Sequence, residues 1–189
     1  MSKKISSFIL PDDIIKDMKD KIKSTKKLKI ELGFALCTDK YSDKIVKGPD
    51  CTGEKCSIKT GICDIYQTQI GNYHTHPRAA ATMSITDMVT GCSEDIQCIG
   101  SVKYNNITCF VRKTDESSCL RDTSSFEEEE HKIIQKGTEI RDALDRPTSI
   151  IRTGIYNFLK EMKKHDDTVV KYNANRIKLL RRNFDRINI

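Results

Sequence analysis

The chain has 189 residues, of which 37% are hydrophobic and 32% charged, with a net charge of +6 and no tryptophan. That length suits one domain with an appendage and a sizeable core. The composition is that of a soluble chain, and no apolar run approaches the roughly 18 residues that a transmembrane helix needs. The start, Met1 to Lys4, is charged, but the apolar stretch that follows is only Phe8 to Leu10. No export signal is read there, which places the protein in the cytoplasm.

In chain order, a short strand at 5–9 leads to Pro11 and a helix running to about residue 24, with Ile14, Ile15, Met18 and Ile22 on one apolar stripe. Residues 1–29 carry nine Lys against four Asp. They alternate around the helix without interleaved aromatics, so they read as a solvated face and not as a nucleic-acid patch. Leu28, Ile30, Leu32, Phe34 and Leu36 then alternate with Lys29, Glu31, Gly33 and Ala35, the pattern of a half-buried strand. Residues 38–61 are turn-rich, with a short strand at 44–47. Residues 62–75 read as one or two strands ending in histidine. A helix starts near Ser84 and ends at Gly91 or just beyond. Strands at 96–103 and 107–113 are joined by a hairpin-type turn at Tyr104–Asn106. Strands mixed with flanking helices indicate an α/β layered domain.

The polar stretch from 114 to 125 reads as a linker, which divides the chain into a domain at 1–115, a linker at 116–125 and a helical extension at 126–189. Ser125 with Glu128 forms a capping-box pattern, and Glu127 to Glu130 suit a helix N-terminus. That helix should run to about Leu144, with Arg146-Pro147 breaking it and Pro147 opening the next. Ile151, Ile155, Phe158 and Met162, and later Ile177, Leu180, Phe184 and Ile187, recur at coiled-coil-like spacing. The extension is either a set of helices packing on the sheet or on one another, or a docking or dimerisation arm. His131 and His165 fall on these helices and read as surface residues. Of the eight cysteines, Cys51, Cys56 and Cys63 lie close in sequence. They could close a loop by disulfide, hold a second metal together with Cys37, or remain thiols.

Chemistry concentrates at His74 and His76, followed after seven residues by Ser84 and then Asp87. A strand puts alternate side chains on one face, so the two histidines can point at one atom, and Asp87 can join them from the helix that follows. Three N/O ligands and one open position suit a catalytic zinc rather than a structural one. Read alone, Ser84 and Asp87 form a helix capping box, and Glu31 is a polar-face strand residue. The chain has no H-E-x-x-H, no C-x-x-C and no glycine-rich nucleotide loop.

With Glu31 upstream, the pattern E…HxHx7SxxD resembles the signature of the JAMM (MPN+) zinc metalloproteases, in particular small prokaryotic, archaeal or viral members. Gly71-Asn72-Tyr73 before the histidines, Pro77 after them, and the stretches from Cys98 to Ser101 and from Ile107 to Val111 agree. The resemblance covers roughly residues 5–115. It implies an MPN-type (cytidine-deaminase-like) fold, a layered mixed sheet flanked by helices. It also implies one Zn²⁺ held by His74, His76 and Asp87 with water as fourth ligand. Glu31 would be the general base that hands the proton to the leaving amine, and Ser84 the donor to the oxyanion. The implied activity is amide or isopeptide hydrolysis, with a ubiquitin-like protein or its conjugates as substrate. Two alternatives come with the same resemblance: a non-catalytic MPN scaffold within a complex, and a JAMM protein associated with DNA maintenance.

Overall fold

The alternation of Leu32, Phe34 and Leu36 builds strand β1 (Glu31–Asp39), which is buried on both faces over its first seven residues. Both-face burial marks a strand in the interior of a sheet. A computed structural model of the chain describes residues 10–42, 44–53, 63–144 and 155–189, and in it β1 is the second strand of six. The others are β2 (Ile45–Gly53), β3 (Gln67–His76), β4 (Ile96–Ser101), β5 (Asn106–Arg112) and β6 (Phe184–Asn188), in the spatial order β2-β1-β3-β4-β5-β6. Only β3 and β4 run parallel; the other pairings are antiparallel. A parallel pair needs a crossover, and the segment carrying helix α2 (Ile85–Gly91) supplies it.

Helix α1 (Asp12–Leu28) outlasts its expected end by about one turn. It stops at Lys29, which takes the left-handed conformation at φ 64° and donates its N–H to the Thr25 carbonyl. Its apolar stripe of Ile14, Met18 and Ile22 packs with Phe34, Leu36, Ile70, Tyr73, Ile96, Cys98, Ile107 and Cys109 as one buried cluster. The Tyr73 hydroxyl donates to the Met18 carbonyl at 2.7 Å, tying β3 to α1. Gly71 has no side chain because none fits: a Cβ there would lie 1.7 Å from the Ile96 carbonyl oxygen. The lysines of this region have acidic partners, Lys21 with Asp50 at 2.9 Å and Lys47 with both Asp17 and Asp50 at 3.0 Å.

The fold is mixed α/β, with helices flanking a mixed six-stranded sheet and a helical stretch near the C-terminus. It divides into two units, Met1–Lys113 with Phe184–Ile189, and Thr114–Asn183. β2 is longer than the strand expected at 44–47 and carries Pro49, which an edge strand tolerates on its unpaired side. Cys37 and Cys63 form a disulfide, as do Cys98 and Cys109, which directly oppose one another across β4 and β5. A disulfide sulfur is not a thiolate ligand, so Cys63 and Cys37 are not holding a second metal here. Cys51 is buried. The strand expected at 5–9, Cys56, Pro147 and Ile151 lie outside the described residues.

The second unit departs from expectation at its start. The stretch read as a linker at 116–125 is helix α3 (Glu116–Ser124). Asp115 caps it by accepting from the Ser118 N–H at 2.8 Å, and Cys119 on it is buried and disulfide-bonded. Ser125 belongs to the end of α3, its hydroxyl donating to the Asp122 carbonyl at 2.8 Å, and does not cap the next helix. Helices α4 (Glu127–Leu144) and α5 (Ile155–Leu180) follow. On α5, Phe158, Met162, His165, Val169, Tyr172 and Arg176 are partly or fully buried, continuing the alternating spacing of four and three. His165 is not a surface residue: its Nε2 lies 3.1 Å from the Ile133 carbonyl. His131 is exposed. Phe126 meets Tyr172 edge-on, and Arg176 pairs with Glu130 at 3.0 Å.

The apolar spacing of Ile177, Leu180, Phe184 and Ile187 does not continue as helix. α5 ends at Leu180, a 3₁₀ turn covers Arg181–Asn183, and Phe184–Asn188 pairs with β5 as β6. Pairing with an open strand outweighs a local helical period. The helical extension therefore stops at Asn183 rather than at Ile189. Among the described residues, no helix is long and apolar enough to cross a membrane.

Candidate metal centre

Alternation along β3 points Asn72, His74 and His76 to one face and Tyr73 and Thr75 to the other, against α1. Thr75 clamps the strand between the two histidines. Its Oγ1 accepts from the Leu32 N–H at 2.9 Å and donates to the Leu32 carbonyl at 3.1 Å. Thr25 is then the donor in the 2.6 Å contact with Thr75. On the outer face the imidazoles tilt together, and their Nε2 atoms lie 3.2 Å apart. Asp87, three residues into the crossover helix, brings Oδ1 to 3.4 Å from His74 Nε2 and Oδ2 to 3.7 Å from His76 Nε2.

Tetrahedral zinc with N and O ligands at ~2.0–2.2 Å sets the ligand atoms roughly 3.3–3.5 Å apart, by simple geometry. The Nε2 pair at 3.2 Å and the His74 contact to Oδ1 at 3.4 Å lie close to that edge length, while His76 meets the other carboxylate oxygen at 3.7 Å. The chemistry of the donor set fits as well. His74 Nδ1 is 3.1 Å from Asn72 Oδ1 and His76 Nδ1 is 3.2 Å from the Ala80 carbonyl. Both partners are acceptors, so each ring donates through Nδ1 and turns Nε2 toward Asp87. Two ring nitrogens and a carboxylate thus converge on one point, an arrangement that a cation relieves. Among the described residues, His74, His76 and Asp87 are the group whose ligand atoms lie close enough to hold a metal.

Burial lowers the pKa of His76, and neighbouring His74 lowers it further. Burial would raise Asp87, but hydrogen bonding and charge from His74 and the bonds from Ser84 bring it down to about 2. Ser84 and Asp87 also form a reciprocal cap. Ser84 Oγ accepts from the Asp87 N–H at 3.1 Å, and Asp87 Oδ2 accepts from the Ser84 N–H at 2.7 Å. The capping-box reading and the ligand reading are therefore both satisfied by one carboxylate. The cap uses a lone pair of the serine and leaves its O–H available as a donor. Ser84→Ala is expected to cost the metal-free protein about 1 kcal/mol, read from denaturant unfolding monitored by circular dichroism.

Glu31 opens β1 on the same face as Gly33, which lies directly opposite His74. It is 5% exposed. Burial raises its carboxyl to about 7, with His74 pulling it down and Asp87 pushing it up. All five motif residues thus come together at the carboxyl ends of β3 and β4, the position open α/β sheets favour for ligands.

Four groups around the site carry no motif. Asn72 could have been found from spacing, since it stands two residues before His74 on the same strand face. Ser101 holds the loop after His76 by donating to the Ala79 carbonyl at 2.8 Å, which sets the neighbouring Ala80 carbonyl against His76. Glu94 reaches Asn72 from the turn before β4, and no local pattern marks it. No protein-family model matches the chain, and no curated protein is significantly similar to it.

Proposed function

We propose that His74, His76 and Asp87 hold one zinc ion and that the chain is a metallohydrolase of JAMM type, with an MPN-type sheet, cleaving amide or isopeptide bonds. The observation that carries this reading is the convergence of the two Nε2 atoms and an Asp87 carboxylate oxygen within 4.8 Å of one another, with each ring's Nδ1 turned to an acceptor. A two-nitrogen, one-carboxylate set suits zinc and leaves a position open, as catalytic sites do. Zinc bound there would supply a polarised carbonyl and a water of lowered pKa.

The chain's own residues take the remaining roles. Glu31, raised to about 7, is poised to accept a proton near neutrality and return it to the leaving amine. The Ser84 O–H, held in place by the cap, donates to the oxygen that gains charge. The substrate class follows from the JAMM resemblance: a ubiquitin-like protein, its conjugates, or its extended precursor. The helical unit, with Ile134, Leu159 and Val170 exposed, is the surface through which a complex partner or second copy would dock. A cytoplasmic location accords with the disulfides where the cytosol tolerates them, as in hyperthermophiles.

Metal analysis of protein purified without chelator is expected to give about one zinc per chain, and that protein is expected to release ubiquitin-like proteins from conjugates with cut ends at an amide bond. No retained zinc would overturn the reading. Zinc without hydrolysis of any such conjugate would favour the scaffold.

A further inference from the structure

Asn72 sits between two groups that each constrain it. Its Oδ1 faces His74 Nδ1 at 3.1 Å, and its Nδ2 donates to Glu94 Oε2 at 2.7 Å. Asn72 is 4% exposed, so water does not replace either contact. A side-chain amide can turn over and exchange its oxygen for its nitrogen. A carboxylate accepts only; against Glu94, Asn72 must present its NH₂, which sends its oxygen to His74. His74 must then be the donor through Nδ1, which leaves Nε2 as the atom it offers toward His76 and Asp87.

The carboxylate that enforces this order is itself anchored. Gln69 Nε2 reaches the other Glu94 oxygen at 3.4 Å. The backbone around Glu94 is held from three sides. Its N–H donates to the Gly91 carbonyl at 3.2 Å, its carbonyl accepts from Arg112 Nε at 2.9 Å, and the next N–H, of Asp95, donates to the Ile70 carbonyl at 2.8 Å. The end of α2, the edge of β5 and the middle of β3 therefore fix where the carboxylate lies. Glu94 is half-buried, and its charge faces no Lys or Arg in this network.

We propose that Glu94 is a positioning residue for the metal centre, setting through Asn72 the tautomer and ring orientation of His74 so that Nε2 is presented as a ligand. The inference rests on the zinc reading and adds to it a three-residue relay, Glu94 to Asn72 to His74, whose first two members lie outside the HxH…SxxD pattern.

The test is zinc affinity, measured by competition with a chromophoric chelator, together with ¹⁵N NMR of the metal-free imidazoles. Glu94→Ala is expected to weaken zinc binding about 10–100-fold, the usual effect of removing such a partner, and to shift metal-free His74 from a single Nδ1–H tautomer to a mixture. Asn72→Asp is expected to weaken binding similarly, because it sets two carboxylates against each other. Combining Asn72→Asp with Glu94→Gln is expected to recover most of the loss. The new carboxylate then accepts from His74 on one side and from the new amide on the other. This double variant keeps the shape of the pair, so it decides the matter even where a single variant unfolds. Wild-type zinc binding with unchanged affinity in Glu94→Ala, or no recovery in the double variant, overturns the relay alone. A wild type that takes up no zinc overturns the metal centre and the relay with it.

Discussion

Glu31→Gln is expected to abolish hydrolysis while zinc stays bound. The amide keeps the volume and polarity of the side chain but no longer takes up a proton, and loss of a positioned base costs about 10²–10⁴-fold in rate. Zinc content and turnover, measured on the same preparation, check the two halves of this expectation. The stability of the metal-free protein should move the other way. The carboxyl of Glu31 is raised from 4.5 to about 7 in the folded state, first by burial and further by Asp87, with His74 opposing. Its contribution to stability is present below pH 4.5 and lost as pH rises through about 7. Above neutrality the ionised group is a burden on the fold, and Glu31→Gln removes it. Denaturant midpoints at pH 5 and pH 8 should therefore diverge between wild type and variant, with the variant the more stable at pH 8. Equal midpoints at both values, or undiminished turnover, would take Glu31 out of the mechanism.

Asp87→Ala is expected to strike two structures at once. It deletes a metal ligand, a larger loss of affinity than the 10–100-fold typical of an outer partner, and it removes the acceptor of the Ser84 N–H, the carboxylate half of the capping box on α2, while the residue-87 N–H still bonds Ser84 Oγ. Asp87→Asn separates these effects. Its amide oxygen can still accept the Ser84 N–H, so the helix keeps its cap, while the neutral ligand holds zinc poorly. Isothermal titration with zinc and thermal unfolding of the metal-free forms distinguish the variants; identical unfolding in both would deny the cap a role. In the metal-free wild type, the Asp87 carboxyl is depressed from 3.8 to about 2. Its stabilisation, on the order of 2 kcal/mol, is present above about pH 4 and lost as pH falls through about 2. Asp87→Asn should flatten that acid limb.

The parts of the site that were legible in the sequence are those whose geometry is local. Two histidines at strand alternation share a face whatever surrounds them, and a serine and an aspartate three apart in a first helical turn must meet. Glu31 was legible because the polar face of its strand offers one acid. Asn72 carried the same periodic signal, but an amide beside two histidines suggests no chemistry of its own. Glu94 was not legible, because its position depends on the parallel register of β3 with β4, with Asn72 level with Gln97, and register is a long-range property. The same cause explains the fold's departures from expectation. Serine and aspartate at 115–118 read as linker, though one aspartate accepting two hydrogen bonds from Ser118 starts a helix there. Phe184 and Ile187 fit a helical period, yet an unpaired β5 edge made them strand.

β6 has a consequence for how the molecule is put together. The chain leaves the sheet at Arg112 and re-enters at Phe184, and these two residues face each other across the same ladder. The seventy residues of the helical unit, Thr114–Asn183, are thus strung between points that an ordinary hairpin turn would join. Such a segment is removable in principle without rerouting a strand, by a two-residue Asn-Gly turn joining Arg112 to Phe184, which keeps their register. The strand order that aligns His74 and His76 is therefore set by β1 to β5, with the helical unit inserted between β5 and β6 and not between strands of the site.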